Sequence, residues 1–175
     1  MDLSLTSTGF AYRGASGLPT TGFIEPKRMG IPRLFYIKRI ITRILDQVDP
    51  TLVVLEGYAY SAAGKQGGVI GRAFDLGELG GVVKLLCWEQ GIPLAIVTTG
   101  TMKKIMTGSG VAKGKQPVRT AVCRIYGITP TKDDESDACG LMTTGEVLYY
   151  DQGPAECMAR KKGIKIPEVV FGKVI

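Results

Sequence analysis

Histidine is absent from this 175-residue sequence, and cysteine occurs only four times. Without histidine, and without a close cysteine pair such as C-x-x-C, the common zinc sites and the Ser-His and Cys-His nucleophile pairs are excluded. Any catalytic metal would therefore be bound mainly through oxygen, which favours Mg²⁺ or Mn²⁺. The cysteines are expected to be reduced and mostly buried; they are Cys87, Cys123, Cys139 and Cys157.

Long apolar runs are also missing. No stretch of about 18 apolar residues predicts a transmembrane helix, and the N-terminus lacks the layout of a signal peptide, so we expect a cytoplasmic protein. Apolar residues make up 45% of the chain, enough for one core. We predict one domain over residues 1–150, followed by a tail over 151–175 whose role the sequence leaves open. The net charge of +6 suits a polyanionic partner but is weak evidence for one.

The hydrophobic pattern predicts an ordered series of strands and helices. Strands are predicted at Met1–Leu5, Gly9–Arg13, Gly22–Glu25, Leu52–Leu55 and Leu94–Val97. Helices are predicted at Pro32–Val48, Gly68–Gln90, Pro117–Tyr126 and Asp134–Tyr149, with a Gly- and Lys-rich loop at Thr99–Lys115. The short connections between the first strands require antiparallel pairing, whereas the later strands alternate with helices. This order predicts an α/β fold with a mixed central sheet, three antiparallel strands then parallel ones, flanked by helices.

Four carboxylates lie at positions where a polar residue is not expected without a partner or a function. Asp2 lies in the first predicted strand, and Glu56 ends an apolar strand. Asp134 and Asp137 share one face at the start of the last helix, with Asp133 as a substitute if the boundary shifts. If these acids converge, divalent cations would offset their repulsion. Singly, Asp2 could be a turn residue, and Asp134 and Asp137 could be favourable charges at a helix N-terminus. Glu56 is the hardest to explain in this way, because an ionised Glu at a buried strand end is uncommon without a partner.

Four segments resemble, in order, the motifs of RuvC-type Holliday junction resolvases in the RNase H-like superfamily. Asp2 is followed by small hydroxyl residues and Gly9, and Val53-Val54-Leu55-Glu56 is a hydrophobic strand that ends in Glu. Between Lys103 and Lys115 lies a Gly-x-Gly-x-Ala loop, and Asp134-Glu135-Ser136-Asp137-Ala138 is similar to the family's last motif. The resemblance covers about Met1–Leu148 and is greater to phage and prophage forms than to the bacterial housekeeping enzyme.

The resemblance implies roles for particular residues. It implies that Asp2, Glu56, Asp134 and Asp137 are catalytic and bind two Mg²⁺ ions, with Mn²⁺ able to substitute. It also implies DNA contacts through Lys103 and one of Lys113 and Lys115, and stacking on an unpaired base by Tyr58 or Tyr60. The tyrosines could equally belong to a half-buried strand extension.

The resemblance further implies a homodimeric endonuclease that nicks four-way or other branched DNA symmetrically, because a four-way junction has two-fold symmetry. Its products would carry 5′-phosphate and 3′-hydroxyl ends, and it would act in the cytoplasm of a bacterial or phage-infected cell. The helix at Gly68–Gln90 contains Gly77, Gly80 and Gly81. Its glycines predict close helix packing, either at the dimer contact or against the protein's own sheet.

Three alternatives stay open on the sequence alone. One is a branched-DNA binding module that has lost cleavage, although an intact set of acids argues against it because unneeded carboxylates would repel DNA. Another is a different RNase H-like nuclease, such as one that acts on RNA–DNA hybrids. The third is an actin-like nucleotide-binding protein, because Asp2–Gly9 also resembles a phosphate-binding turn. That class normally needs two such domains, for which 175 residues leave no room.

Overall fold

The computed structural model describes residues 1–14, 17–57 and 69–172. The strands are β1 (Thr8–Arg13), β2 (Pro19–Ile24), β3 (Val53–Glu56), β4 (Leu94–Val97) and β5 (Val169–Phe171). The helices are α1 (Gly30–Val48), α2 (Val69–Glu89), α3 (Thr99–Thr107), α4 (Gln116–Tyr126), α5 (Asp133–Tyr149) and α6 (Ala155–Ala159). The strand and helix positions predicted between residues 9 and 149 are confirmed to within a few residues, apart from the loop after β4.

The strands form two sheets within these ranges. β1 pairs with β2 antiparallel, and β3 pairs with β4 in parallel through the α2 crossover. The predicted first strand is reduced to an isolated antiparallel bridge between Asp2 and Gly9. Met1 lies beside β3, where its carbonyl accepts a hydrogen bond from the Glu56 amide. The N-terminal residues therefore bring the end of β3 beside the start of β1.

Two hydrophobic cores lie on opposite faces of the strands, which gives three layers. The side chains of β3 alternate between them: Val53 and Leu55 pack toward α1 and α2, and Val54 packs toward α5. Helix α5 lies very close to β3, since a Cβ added at Gly145 would stand 2.7 Å from a Val54 methyl carbon. In the described parts of the chain, no helix combines the length and apolar character needed to cross a bilayer.

The prediction of a loop at Thr99–Lys115 was wrong for its first half, which forms α3. The Thr98 side chain caps the helix by accepting a hydrogen bond from the Thr101 amide. Met102, Ile105 and Met106 are buried at helical spacing, and the helix ends at Gly108 with φ of +86°. The high glycine and lysine content obscured a short amphipathic helix.

The tail, for which the sequence assigned no role, packs against the rest of the chain. β5 pairs antiparallel with β4, and Cys157 of α6 is buried in the core below α5. Arg160 donates hydrogen bonds to the carbonyls of Ile105 and Met106 at the end of α3, at 3.0 and 2.6 Å. These contacts satisfy carbonyls that a helix end leaves without partners, so the tail braces α3.

Candidate active site

Asp2 and Glu56 are brought together by the pairing of the N-terminal residues. The Asp2 amide donates to the Gly9 carbonyl at 3.0 Å, and the Glu56 amide donates to the Met1 carbonyl at 3.3 Å. As a result the two carboxyl groups line the same cavity. The Thr99 hydroxyl, in the first turn of α3, donates to the second acid, Glu56. Strand ends and a helix start therefore converge at this edge of the fold.

The start of α5 lies directly over β1 because residue 9 is glycine. A Cβ at Gly9 would stand 2.0 Å from the Asp134 carbonyl oxygen, far inside van der Waals contact. The first turn is further fixed by Glu135, whose carboxylate accepts from the amides of Thr131 and Lys132 at 2.7 and 2.9 Å. Asp137, one turn further on, is only 8% exposed. This packing places Asp137 in one cavity with Asp2 and Glu56, whereas Asp134 does not line that cavity and is connected to it through Lys115.

A cavity of about 320 Å³ joins these elements. It is lined by Asp2, Glu56, Thr99, Lys103, Gly114, Lys115 and Asp137. The Lys115 ammonium lies 3.2 Å from an oxygen of Asp134 and 3.3 Å from one of Asp137. Burial lowers the pKa of Lys115, but its hydrogen bond to Asp134 and the nearby carboxylates outweigh this and raise it well above its usual value. Lys115 therefore stays protonated among the acids.

Burial and crowding of the acids raise the pKa of one of them, Asp2. Burial, the hydrogen bond to Glu56 and the charges of Glu56 and Asp137 raise the pKa of Asp2 from 3.8 to about 8. Burial also raises the pKa of Asp137, against the lowering influence of Lys115. Near neutral pH the cluster therefore holds a proton at Asp2 and an ammonium at Lys115.

The carboxylate oxygens of the four acids are suitable ligands for a divalent cation, although they are not already arranged around one. Among the described residues, no three Asp, Glu or Cys side chains stand in a ready-made metal-binding arrangement. The Lys115 ammonium lies between the two α5 carboxylates, and the raised pKa of Asp2 keeps that carboxyl group protonated near neutral pH. All the donors are carboxylate oxygens, and a divalent cation can replace both the Lys115 ammonium and the Asp2 proton.

The lysines predicted to contact DNA occupy three different situations. Both Lys113 and Lys115 are exposed, but Lys115 lines the acidic cavity and Lys113 does not. Lys103 also lines the cavity, where its ammonium donates to the carbonyls of Ala112 and Gly114 at 2.8 and 3.1 Å. It thus holds the loop that carries Lys115. The predicted stacking residues, Tyr58 and Tyr60, lie outside the described residues.

Two contributors to the site were not predicted from the sequence. Thr99 was assigned to a loop, although Thr98 and Thr101 around it form the start signal of a helix. Gly9 was noted as part of a motif without its role in the close approach of α5, which no local pattern reveals. Asp133, considered as a substitute for Asp134, instead pairs with Arg119 at 3.5 Å.

The fold and the acids of this cavity together indicate the class of protein. The chain is similar to Thermus thermophilus RuvC, with a TM-score of 0.66 at 18% identity over 97% of this chain and 96% of that one. T. thermophilus RuvC in complex with Holliday junction substrate matches with the same TM-score and coverage at 15% identity. The expected RNase H-like fold, a mixed α/β architecture with flanking helices, is confirmed.

The family is shown by a second, independent match. The family model described as crossover junction endodeoxyribonuclease RuvC matches residues 8–144. The crossover junction endodeoxyribonuclease RuvC of Caldicellulosiruptor saccharolyticus is 26% identical over 126 residues, which are 68% of this chain and 72% of that protein. This chain belongs to the RuvC family and is an endonuclease of the Holliday junction resolvase type.

Proposed function

We propose that this protein resolves Holliday junctions and related branched DNA by symmetric, Mg²⁺-dependent nicking in the cytoplasm of a bacterial or phage-infected cell. The observation that carries the proposal is the convergence of Asp2, Glu56 and Asp137 in one cavity beside two lysines. A four-way junction is also the substrate named in the complex of a structural relative. The expected products carry 5′-phosphate and 3′-hydroxyl ends.

Asp2, Glu56, Asp134 and Asp137 would hold the metal, because they supply the clustered oxygen donors that Mg²⁺ requires. Metal dependence is a property of the family in general; two ions and their identity as Mg²⁺ are part of the proposal. When bound, such ions supply an activated water and stabilise charge on the leaving oxygen of an in-line displacement.

The chain's own residues orient the acids and receive the phosphate. The Thr99 hydroxyl donates a hydrogen bond to one carboxylate oxygen of Glu56. This contact fixes the orientation of the whole carboxylate. Once a cation neutralises Asp134 and Asp137, Lys115 loses its present partners and is available to a phosphate oxygen. Lys103 holds the loop carbonyls in place and so positions Lys115, which would make the phosphate contact. Tyr58 and Tyr60 stay predicted stacking residues.

Mg²⁺ binding is expected to depend steeply on pH. Since the pKa of Asp2 is about 8, metal binding must release its proton, and affinity should fall roughly tenfold for each pH unit below 8. Titrations that follow the Mg²⁺-induced rise in melting temperature at pH 6 and pH 9 measure this. Affinity that is the same at both values would contradict the assignment of Asp2 as a ligand.

The same shift has the opposite consequence without metal. Between the unfolded pKa of 3.8 and the folded pKa of about 8, the folded protein binds one proton more than the unfolded chain. Stability therefore falls as pH rises through this interval, whereas saturating Mg²⁺ should reduce or reverse the fall. Thermal unfolding with and without Mg²⁺ at several pH values separates the two effects.

A homodimer would supply the two active sites that symmetric nicking needs, and α2 offers a surface for it. Five exposed residues recur at spacings of three and four along one face: Phe74, Gly77, Gly81, Leu85 and Trp88. A Cβ at Gly77 or Gly81 would meet nothing within 4 Å, while Gly80 is buried. The outward glycines thus leave space for a second helix, and the packing of α2 on its own sheet does not use them.

Replacing Leu85 with Asp is expected to weaken the dimer at least about a hundredfold, because two unpaired charges would be buried at a two-fold contact. Sedimentation velocity over a concentration series measures the change. Ile166→Asp, at an exposed apolar residue of the tail, is the matched control. If Leu85→Asp and the control associate as the unaltered protein does, the α2 face is not the dimer contact.

The proposed activity is tested with synthetic DNA substrates in the presence and absence of Mg²⁺. Four-way junctions, forks, duplexes and RNA–DNA hybrids of shared sequence should be compared. The proposal predicts paired nicks at symmetric positions in the four-way junction, and nicked products that a ligase can seal. Junction binding without cleavage would indicate a binding module, and preferential cutting of hybrids would indicate a different RNase H-like activity.

A further inference from the structure

A surface at the start of α1 exposes apolar side chains that the core does not use. Three of its residues are highly exposed: Met29 and Ile31 at 75% and Phe35 at 64%. Ile31 and Phe35 are four residues apart and so share a helix face. The buried positions of α1 begin only at Ile37. The first turns of this helix therefore project apolar groups away from the protein.

Cations are interleaved with these apolar groups. We call the set the α1 ridge: Lys27, Arg28, Met29, Ile31, Arg33 and Phe35. In residues 1–14, 17–57 and 69–172, none of its three cations is ion-paired with a carboxylate. The first turn of α1 contains no acidic residue. Positive charges at a helix N-terminus are unfavourable, so the arrangement suits an anionic partner.

The α1 ridge follows a segment that is tied to the start of α5. Glu25, two residues before it, is ion-paired with Lys132, the residue that precedes the first turn of α5. The Lys132 ammonium also lies 4.3 Å from the centre of the ring of Phe23, the penultimate residue of β2. The end of β2 is therefore tied to the element that carries Asp134. Two residues of extended chain span about 7 Å, which keeps the start of the ridge near the first turn of α5.

We infer that the α1 ridge is a second DNA contact, in which Lys27, Arg28 and Arg33 bind phosphates and the apolar side chains pack against unstacked bases near the branch point. This inference rests on the proposed function, which brings branched DNA to the active-site cavity. Cations and apolar wedges side by side are the combination that stabilises opened base steps. Arg33 donates to the Arg28 carbonyl at 2.8 Å, which holds these two cations together, and none of the three cations is neutralised by a carboxylate in the described part of the chain.

The phosphate contacts are tested with the double variant Lys27→Ala/Arg28→Ala. Junction binding without Mg²⁺, measured at several salt concentrations, should weaken at least tenfold. The slope of log affinity against log salt should become shallower by about 1.8, since each lost phosphate contact contributes about 0.9. Lys162→Ala/Lys165→Ala removes the same charge from exposed positions of the tail. This control should lose little affinity.

The apolar contacts are tested with Ile31→Ser/Phe35→Ser and a junction carrying 2-aminopurine at the branch point. Binding by the unaltered protein should raise the fluorescence as the base unstacks, and the variant should lose this rise with an unchanged salt slope. Because both residues are exposed, the variant should melt at the unaltered temperature.

Three results would overturn the inference. One is unaltered affinity and salt slope in the charge variant, and another is an unaltered fluorescence rise in the apolar variant. The third is a change in sedimentation mass without a change in DNA binding, which would make the ridge a protein contact. In each of these cases normal cleavage by the unaltered protein leaves the proposed function standing. If the unaltered protein neither binds nor cuts junctions, both proposals fail together.

Discussion

Glu56→Gln is expected to lower Mg²⁺-dependent cleavage of a four-way junction about a thousandfold while leaving junction binding intact. Loss of one ligand removes several kcal/mol of charge stabilisation in the transition state, and each 1.4 kcal/mol is a factor of ten in rate. Glutamine keeps the shape and the oxygen that accepts from Thr99. It also removes a negative charge beside the scissile phosphate, so binding should be equal or tighter.

A matched control separates this effect from a general loss of charge. Glu89 lies at the end of α2, where its nearest ion-pair contact is with Lys38 at 4.0 Å. Glu89→Gln should therefore cleave at the unaltered rate. The two variants should be compared in single-turnover assays at saturating Mg²⁺, with binding followed in parallel. Retained cleavage by Glu56→Gln would remove this residue from the mechanism.

Gly9→Ala is expected to impair both stability and cleavage. Its new methyl group would stand 2.0 Å from the Asp134 carbonyl oxygen and 2.4 Å from the carbonyl carbon. Both are backbone atoms, so β1 and α5 must separate. Overpacking of this kind lowers the free energy of unfolding by about 1–3 kcal/mol. Displacing Asp134 and Asp137 by about 1 Å should reduce cleavage about a hundredfold further.

Gly100→Ala is the control for the added methyl group. Gly100 lies in the first turn of α3, near the same cavity, but a Cβ there meets its nearest atom at an ordinary 3.7 Å. This variant should melt and cleave much as the unaltered protein does. Thermal unfolding and single-turnover cleavage measure both predictions. A Gly9→Ala protein as stable and active as Gly100→Ala would contradict the close approach of α5 to β1.

Elements with strong local signals could be predicted from the sequence, and elements that depend on distant contacts could not. The apolar run Leu94–Val97 and the periodic spacing of Ile37, Ile41 and Leu45 match β4 and α1 in the structure. Strand β5 is three residues long and forms only because β4 offers an edge. A segment so short has no periodicity from which to recognise it.

The candidate site likewise has features that the local sequence predicts and features that arise only from distant contacts. The acids could be proposed because polar residues at strand ends and on one helix face follow local geometry, although their roles in metal binding stay predictions. The sequence left Lys113 and Lys115 as equals, since two lysines in a loop have the same local pattern. Their difference arises from folding, which places Lys115 between two carboxylates of α5. Thr99 was missed because α3 was missed.

Acids distant in the sequence are proposed to share divalent ions at one point. Anomalous X-ray scattering from crystals soaked in Mn²⁺ tests this, because it locates the ion without relying on activity. Mn²⁺ density is expected among the carboxylates of Asp2, Glu56, Asp134 and Asp137, with the Lys115 ammonium displaced from its present position. Saturating Mn²⁺ that leaves this cavity empty, in a protein that still cuts junctions, would contradict it.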